Sequence, residues 1–250
     1  MAIGIKSERE LIAMRKAGKV VAQVLAVLQT RITTGMKTLE LNDIAEKEMR
    51  KLGAKPSFKG YHGFPASICV SINDEIVHGI PGERIINDGD IVSLDVGTIV
   101  DNYQGDGAVT VVVGLVNPAK EKLIAATRGA LESGIAAARN GGHLGDISAA
   151  IQQYAEARGF GVIREYTGHG IGRAMHEEPL IPNFGQTGSG PELKAGMTLA
   201  LEPMLTTGDW HTTVGPDNWV VITADHSLAA HFEHTIAITR GQPEILTSII

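Results

Sequence analysis

Apolar residues recur at helical spacing between Ser7 and Thr30, at Leu11, Ile12, Val20, Val21, Val24, Leu25 and Leu28. The pattern predicts an amphipathic helix. Ser7 stands as its N-cap, and Glu10, three residues on, completes a capping box. Leu39 to Leu52 predicts a second helix, with Thr38 as N-cap and Gly53 as its stop. Residues 55–66, with Pro56, Gly60, Gly63 and Pro65, read as loop. Ser67 to Ile72 and Ile91 to Leu94 alternate or run apolar, as strands do. Val109 to Val113 is wholly β-branched, so a buried strand is expected there.

The pattern then starts again. Leu11-Ile-Ala13 recurs as Leu123-Ile-Ala125, and Leu41-Asn-Asp-Ile44 as Leu144-Gly-Asp-Ile147. His78-Gly-Ile80 recurs as His169-Gly-Ile171. Gly89 to Leu94-Asp95 recurs as Gly196 to Leu201-Glu202. Asp106 with Gly114 matches Glu233 with Gly241, eight residues apart in both cases. Each match is weak alone, but all five keep the same order. Their offset drifts between roughly 90 and 130 residues, as it does when loops vary and elements do not. The expected fold class is α+β. It is one domain over residues 1–250, made of two halves of about 1–115 and 116–250. Each half carries two helices and then mostly antiparallel strands. The halves share one sheet core about an approximate twofold axis.

The repeat pairs Asp95 with Glu202 and Asp106 with Glu233. Asp95 lies in Val92-Ser-Leu-Asp-Val-Gly97 and Glu202 in Leu199-Ala-Leu-Glu-Pro203, both mainly apolar. An unpaired carboxylate buried there costs several kcal/mol, so an anion needs a cation. Taken alone, Asp106 between Gly105 and Gly107 could be a turn residue, and Glu233 a half-exposed strand residue. Four carboxylates drawn together would repel unless about four positive charges joined them, which two divalent metals supply. His169, framed by glycines in Gly168-His-Gly-Ile-Gly172, is the natural nitrogen ligand. Oxygen-rich ligation with one imidazole suits Mn(II), Fe(II) or Co(II) better than the sites zinc prefers. His78 and His176 could stabilise an oxyanion or shuttle a proton. His62, His143, His211, His226, His231 and His234 are expected to be surface or structural. Only His62 has an aromatic loop around it that would suit a ligand.

Bulk properties narrow the class. A net charge of -6, with no run of Lys and Arg, argues against a nucleic-acid surface. Cys69 is the sole cysteine, so no internal disulfide can form, which fits a cytoplasmic location. The charged first twenty residues do not read as a signal peptide. The longest mainly apolar run, Gly107 to Val116, is far short of the roughly 20 residues that span a bilayer. No membrane association is expected.

The set Asp95, Asp106, His169, Glu202 and Glu233 resembles the ligand set of the pita-bread metallopeptidases, and most closely that of the type I methionine aminopeptidases. The resemblance covers essentially the whole chain. It is most specific at Tyr61-His-Gly-Phe-Pro65, Ser71-Ile-Asn73 with His78-Gly-Ile-Pro81, Gly168 to Gly172 with His176-Glu-Glu-Pro179, and Glu233-His-Thr235. It implies a pita-bread fold and two divalent metal ions, Co, Mn, Fe(II) or Zn. Asp106 and Glu233 would bridge them, Asp95 would complete one, and His169 and Glu202 the other. It implies that activated water attacks the first peptide bond, with Glu202 relaying a proton. His78 and His176 would hold the substrate and stabilise the tetrahedral intermediate. Phe58, Tyr61, Phe64, Cys69, Met175 and Trp219 would wall an apolar pocket for methionine. The implied substrate is the N-terminus of a peptide or nascent protein with a small second residue. The implied setting is a cytoplasmic monomer in transient contact with the ribosome. Two departures stand out. Met175 replaces a usual aromatic residue, and Gly107-Ala108 follow Asp106 where a polar residue is usual, in what would be the turn that aims it. The alternatives are an X-Pro aminopeptidase or dipeptidase of the same fold, whose added N-terminal domain 250 residues would not hold, and a non-enzymatic pita-bread binding protein, which would be expected to have lost ligands.

Overall fold

The first helix forms where its local signals place it. A computed structural model, which describes residues 3–115 and 117–248, gives α1 (Glu8–Arg31) with Ser7 as N-cap. The Ser7 N–H donates to Glu10 Oε2 at 2.9 Å, and Ser7 Oγ accepts from the Glu10 N–H. The second helix, α2 (Thr38–Lys51), starts one residue earlier than expected. Its N-cap is Lys37, whose N–H donates to Glu40 Oε1 at 2.8 Å. The Thr38 hydroxyl is engaged elsewhere, accepting from the Gly82 N–H at 2.8 Å and donating to Gly82 O at 3.1 Å.

Five strands follow: β1 (Lys55–Pro56), β2 (Cys69–Ile72), β3 (Glu75–Val77), β4 (Ile91–Val100) and β5 (Tyr103–Val112). Two helices come next, α3 (Pro118–Ala137) and α4 (Leu144–Glu156). The second half then gives β6 (Gly161–Val162), β7 (Thr167–Gly170), β8 (Glu177–Pro182), β9 (Thr198–Leu201) and β10 (Met204–Thr206). The chain ends with β11 (Thr212–Val214), β12 (Val221–Thr223), β13 (Ala229–His231), β14 (Glu233–Ala237) and β15 (Glu244–Ile245). The main sheet runs β1-β4-β5-β14-β9-β7-β8, with β2 also on β4 and β15 also on β14. Two three-stranded sheets, β13-β10-β6 and β11-β12-β3, flank it.

Three expectations change here. Residues 55–66 are not all loop: they hold β1 and a single 3-10 turn, Tyr61–Gly63. The strand expected at Val109 to Val113 begins at Tyr103, and Val109, Val111 and Val112 are only half-buried. Asp106 is therefore a mid-strand residue opposite Gly97, with no turn to aim it. The glycines beside it serve packing, since a Cβ at Gly105 would come within 2.7 Å of the Gly18 nitrogen on α1.

Alternation along the strands sorts the sheet into two faces. One face carries Val92, Leu94 and Val96, packed with Val21, Val24, Leu28, Leu41 and Met49 of α1 and α2. The same face of the second half carries Leu199, Leu201 and Ile236, packed with Leu123, Ala130, Ile147 and Ile151 of α3 and α4. Burying each such side chain contributes about 1.5–3 kcal/mol, so the helix pairs hold the sheet from behind. The opposite face carries the buried polar residues Ser93, Asp95, Asp106, Thr110, Glu233 and Thr235 among small and apolar ones.

Candidate metal centre

Strand register brings the acids together. Asp95 on β4 lies opposite Ala108 on β5, and Ala108 lies opposite Glu233 on β14. Asp106 is two residues from Ala108 and so shares its face. On the next strands His169 pairs with Ala200, and Ala200 with Thr235. Glu202 follows Ala200 by two and ends the same face. The ladder between β5 and β14 pairs only Glu233 with Ala108 and His234 with Gly107. Beyond it Thr235 takes over, its hydroxyl accepting from the Asp106 N–H at 3.0 Å and donating to Asp106 O at 2.8 Å. The backbone that carries Asp106 is thus clamped from both sides.

Asp106 and Glu233 are 4% and 3% exposed. Neither is the turn residue or half-exposed strand residue that its neighbours allowed. Ligand atoms of Asp106, His169 and Glu233 all lie within 4.8 Å of one another. His169 Nε2 stands 3.5 Å from Glu202 Oε1 and 3.8 Å from Asp106 Oδ2, too far for hydrogen bonds. Its other nitrogen, Nδ1, lies 2.9 Å from Gly170 O. A carbonyl can only accept, so the neutral ring carries its proton on Nδ1 and turns the Nε2 lone pair towards the acids. Burial, then His176, pushes the His169 pKa down to about 3, so these contacts are not ion pairs.

The acids lack partners of their own. Asp95 Oδ1, Asp106 Oδ1 and Glu233 Oε1 are buried without a hydrogen bond. Burial pushes the Asp95 carboxyl up to about 7. Asp106 and Glu233 are pushed well above the usual range by burial first and then by the neighbouring carboxylates. Glu202 is raised in the same way, by burial and then by Asp95. Orphaned oxygens, mutual repulsion and an inward lone pair all point to missing positive charge. The residues fit a divalent cation centre of oxygen ligands and one imidazole.

This cluster floors a cavity of about 220 Å³. Its walls include every side chain expected there: Phe58, Tyr61, Phe64, Cys69, Met175 and Trp219, with His62, His78 and His176. Phe58 sits over Gly97, where a Cβ would come within 2.5 Å of its ring. Trp219 meets Phe64 edge-on at 5.1 Å. It is carried on a turn in which Asp217 Oδ1 accepts from the Trp219 and Val220 N–H groups, both at 2.9 Å. Cys69 faces Asp95 across the β2–β4 ladder. Burial, and then the acids, push its thiol pKa well up and keep it neutral.

His176 and His169 have ring centroids 4.2 Å apart. The Tyr61 hydroxyl lies 2.7 Å from His176 Nδ1. Burial, then His62, lowers the His176 pKa, and burial, then His176, lowers that of His78 to about 4. Both rings are neutral donors at the rim of the acids. The expected match of His78 with His169 does not follow the register. Counting from Leu94 and Leu201, Ser71 holds the place of His169. His78 instead follows β3 in a left-handed turn at φ 62.

His231 was not singled out by the sequence. It ends β13 at 2% exposure, with Nε2 3.9 Å from Glu233 Oε2. The only signal was its place two residues before Glu233. Of the remaining histidines, His226 pairs with Asp74 at 2.7 Å and His211 with Asp209 at 2.9 Å on the surface, as expected.

Metallopeptidase family M24 matches residues 12–240. A methionine aminopeptidase 1 of Bacillus subtilis is 49% identical, over 98% of both chains. A methionine aminopeptidase of Clostridium perfringens is 48% identical, also over 98% of both. The crystal structure of methionine aminopeptidase from Thermotoga maritima superposes with a TM-score of 0.98 at 45% identity, covering 99% of this chain and all of that one.

Proposed function

This chain belongs to metallopeptidase family M24 and has the pita-bread fold, and from that premise we propose that it is a metal-dependent hydrolase that removes N-terminal methionine. Its substrate is the N-terminus of a peptide or nascent protein, with a small second residue preferred. The observation that carries this reading is the acid-floored cavity: partner-poor carboxylates and one inward imidazole beneath a wall of Phe58, Phe64, Met175 and Trp219. Thioether and aromatic walls suit the flexible, polarizable side chain of methionine. Full-length similarity to methionine aminopeptidases favours this over an X-Pro peptidase or a non-enzymatic binder.

Two divalent ions would be held by Asp106 and Glu233 in common, one of them also by Asp95 and the other also by His169 and Glu202. The donor set suits Mn(II), Fe(II) or Co(II), and Zn(II) is also tested. When bound, the ions supply Lewis acidity, polarising the scissile carbonyl and lowering the pKa of attacking water. The chain's own groups do the rest. Glu202 keeps 15% side-chain exposure and so can take a proton from water and pass it on. A Tyr61 hydroxyl donating to His176 Nδ1 leaves the Nε2–H free for the substrate carbonyl. His78, held at the rim by its left-handed turn, holds the substrate beside it. The aromatic wall sheds water around the first side chain. The same reading has the enzyme act as a cytoplasmic monomer that meets nascent chains at the ribosome. Among the described residues no helix is long and apolar enough to cross a membrane.

The test is a peptide panel on metal-free protein supplied in turn with Mn(II), Fe(II), Co(II) or Zn(II). Met-Ala-Ser should lose its methionine only when metal is added. Cleavage of X-Pro peptides with Met-Ala-Ser left intact would sink the assignment. In His176→Ala turnover should fall by about 100-fold or more while bound metal stays unchanged. Loss of metal instead would make His176 a ligand.

A further inference from the structure

Among the described residues, His231 is the one side chain with two buried polar atoms that lack a partner. Its ring is buried, and neither Nδ1 nor Nε2 has a hydrogen-bond partner. A buried polar group left unmade costs free energy that an apolar side chain of similar shape would avoid. Its backbone is meanwhile fixed firmly. The His231 N–H donates to Thr110 Oγ1 at 2.9 Å, and the Thr110 hydroxyl donates back to His231 O at 2.7 Å. Ser93 Oγ lies 2.8 Å from the same Thr110 oxygen and supplies its remaining donor. The β4–β5 pair thus holds the end of β13 in place, with the ring against Glu233.

Two polar neighbours face that ring, the Glu233 carboxylate and His78. The neutral ring has one N–H to give, and a neutral imidazole prefers a carboxylate acceptor to a second imidazole. The present 3.9 Å between Nε2 and Glu233 Oε2 closes to hydrogen-bond length with a movement of roughly 1 Å.

We propose that His231 is a positioning residue for Glu233, the outer hydrogen-bond partner that aims its carboxylate at a divalent cation. The proposal rests on reading Glu233 as a ligand. It explains why a chain able to place an apolar residue at the end of β13 places an imidazole there. Outer partners of this kind set the orientation and basicity of a ligand.

Calorimetric titration of metal-free protein with Mn(II) tests it, alongside the thermal midpoint of each metal-free form. His231→Leu should weaken Mn(II) binding about 10- to 100-fold, with a metal-free midpoint equal to or above that of wild type. His231→Gln, which restores an N–H donor, should recover part of that affinity. Mn(II) affinity in His231→Leu within about twofold of wild type would overturn the proposal, whatever the midpoint does. If the leucine variant does not fold, His231→Met is judged by the same criterion, its side chain being adaptable in a core. A wild-type chain that takes up no Mn(II) would fail the metal reading itself, an outcome distinct from wild type and variants binding equally well.

Discussion

Glu10 and the acids of the centre are the same kind of group in opposite circumstances. Glu10 accepts from the Ser7 N–H at 2.9 Å, the Ser7 hydroxyl at 2.8 Å and the Tyr103 hydroxyl at 2.7 Å. Those bonds, led by the Ser7 backbone, pull its pKa down to about 2. Asp95, Asp106 and Glu233 each keep a buried oxygen with no donor, and burial drives their pKa values up. The first carboxylate is finished by the protein alone. On the proposed reading the others are completed by a divalent cation. The two kinds of acid differ here in what their oxygens lack.

That contrast can be broken most forcefully at Glu233. Glu233→Ala should weaken divalent-metal affinity by more than about 100-fold, beyond what loss of an outer partner does, and abolish peptide cleavage. Its circular dichroism spectrum should stay native, because β14 remains paired with β9. Full activity in this variant would show that the acids are not the centre.

A second test is pH. In metal-free protein Asp95 has its pKa raised by burial to about 7 from its ordinary 3.8. Below both values the group is protonated folded and unfolded, and contributes nothing. As pH climbs past 3.8 the unfolded chain releases a proton that the folded chain keeps, so burial costs more with each step until about 7. Asp95→Asn removes that cost. In thermal scans with chelator, its midpoint should therefore rise above wild type between pH 5 and pH 8, and the gap should close near pH 4. A gap independent of pH would remove the argument that these acids are strained as anions.

The smallest effect belongs to Glu10. Its depressed pKa stabilises the fold above the ordinary glutamate value of 4.5, and this contribution is lost as pH falls towards about 2. Glu10→Gln should lower the midpoint at pH 7 by about 2–4 °C, and the deficit should fade under acid. The two variants should thus move in opposite directions with pH. If Glu10→Gln has no effect at neutral pH, the charge of Glu10 adds nothing to the start of α1, since glutamine keeps the acceptor of the capping box.

Much of this was legible in the chain because its signals are local. The α1 capping box needs only Ser7 and Glu10, three residues apart. Asp95 and Glu202 announced themselves as carboxylates inside apolar runs, since that placement is costly in any fold, while Asp106 and Glu233 were marked only by the repeat that pairs them. The pocket residues were carried by a resemblance rather than by spacing. What failed had distant causes. Thr38 looks like a cap, but its hydroxyl goes to Gly82, a partner no local pattern reveals. Asp106 between two glycines looks like a turn, but those glycines admit α1 against β5.

By itself the sequence determined the two helix pairs, the strand that carries Asp95 and the one that ends just before Glu202, and the chemistry of the five ligand-type residues. These follow from periodicity and from the cost of burying charge, which neighbours along the chain already fix. Only the tertiary structure decided how those residues meet. Register across β4, β5, β14, β9 and β7 placed them on one face. It also put Ser71 rather than His78 at the register position that matches His169, and set His231 against Glu233. Strand pairing is non-local, and a slip of one residue sends a side chain to the other face, so no stretch of sequence alone could have fixed that arrangement.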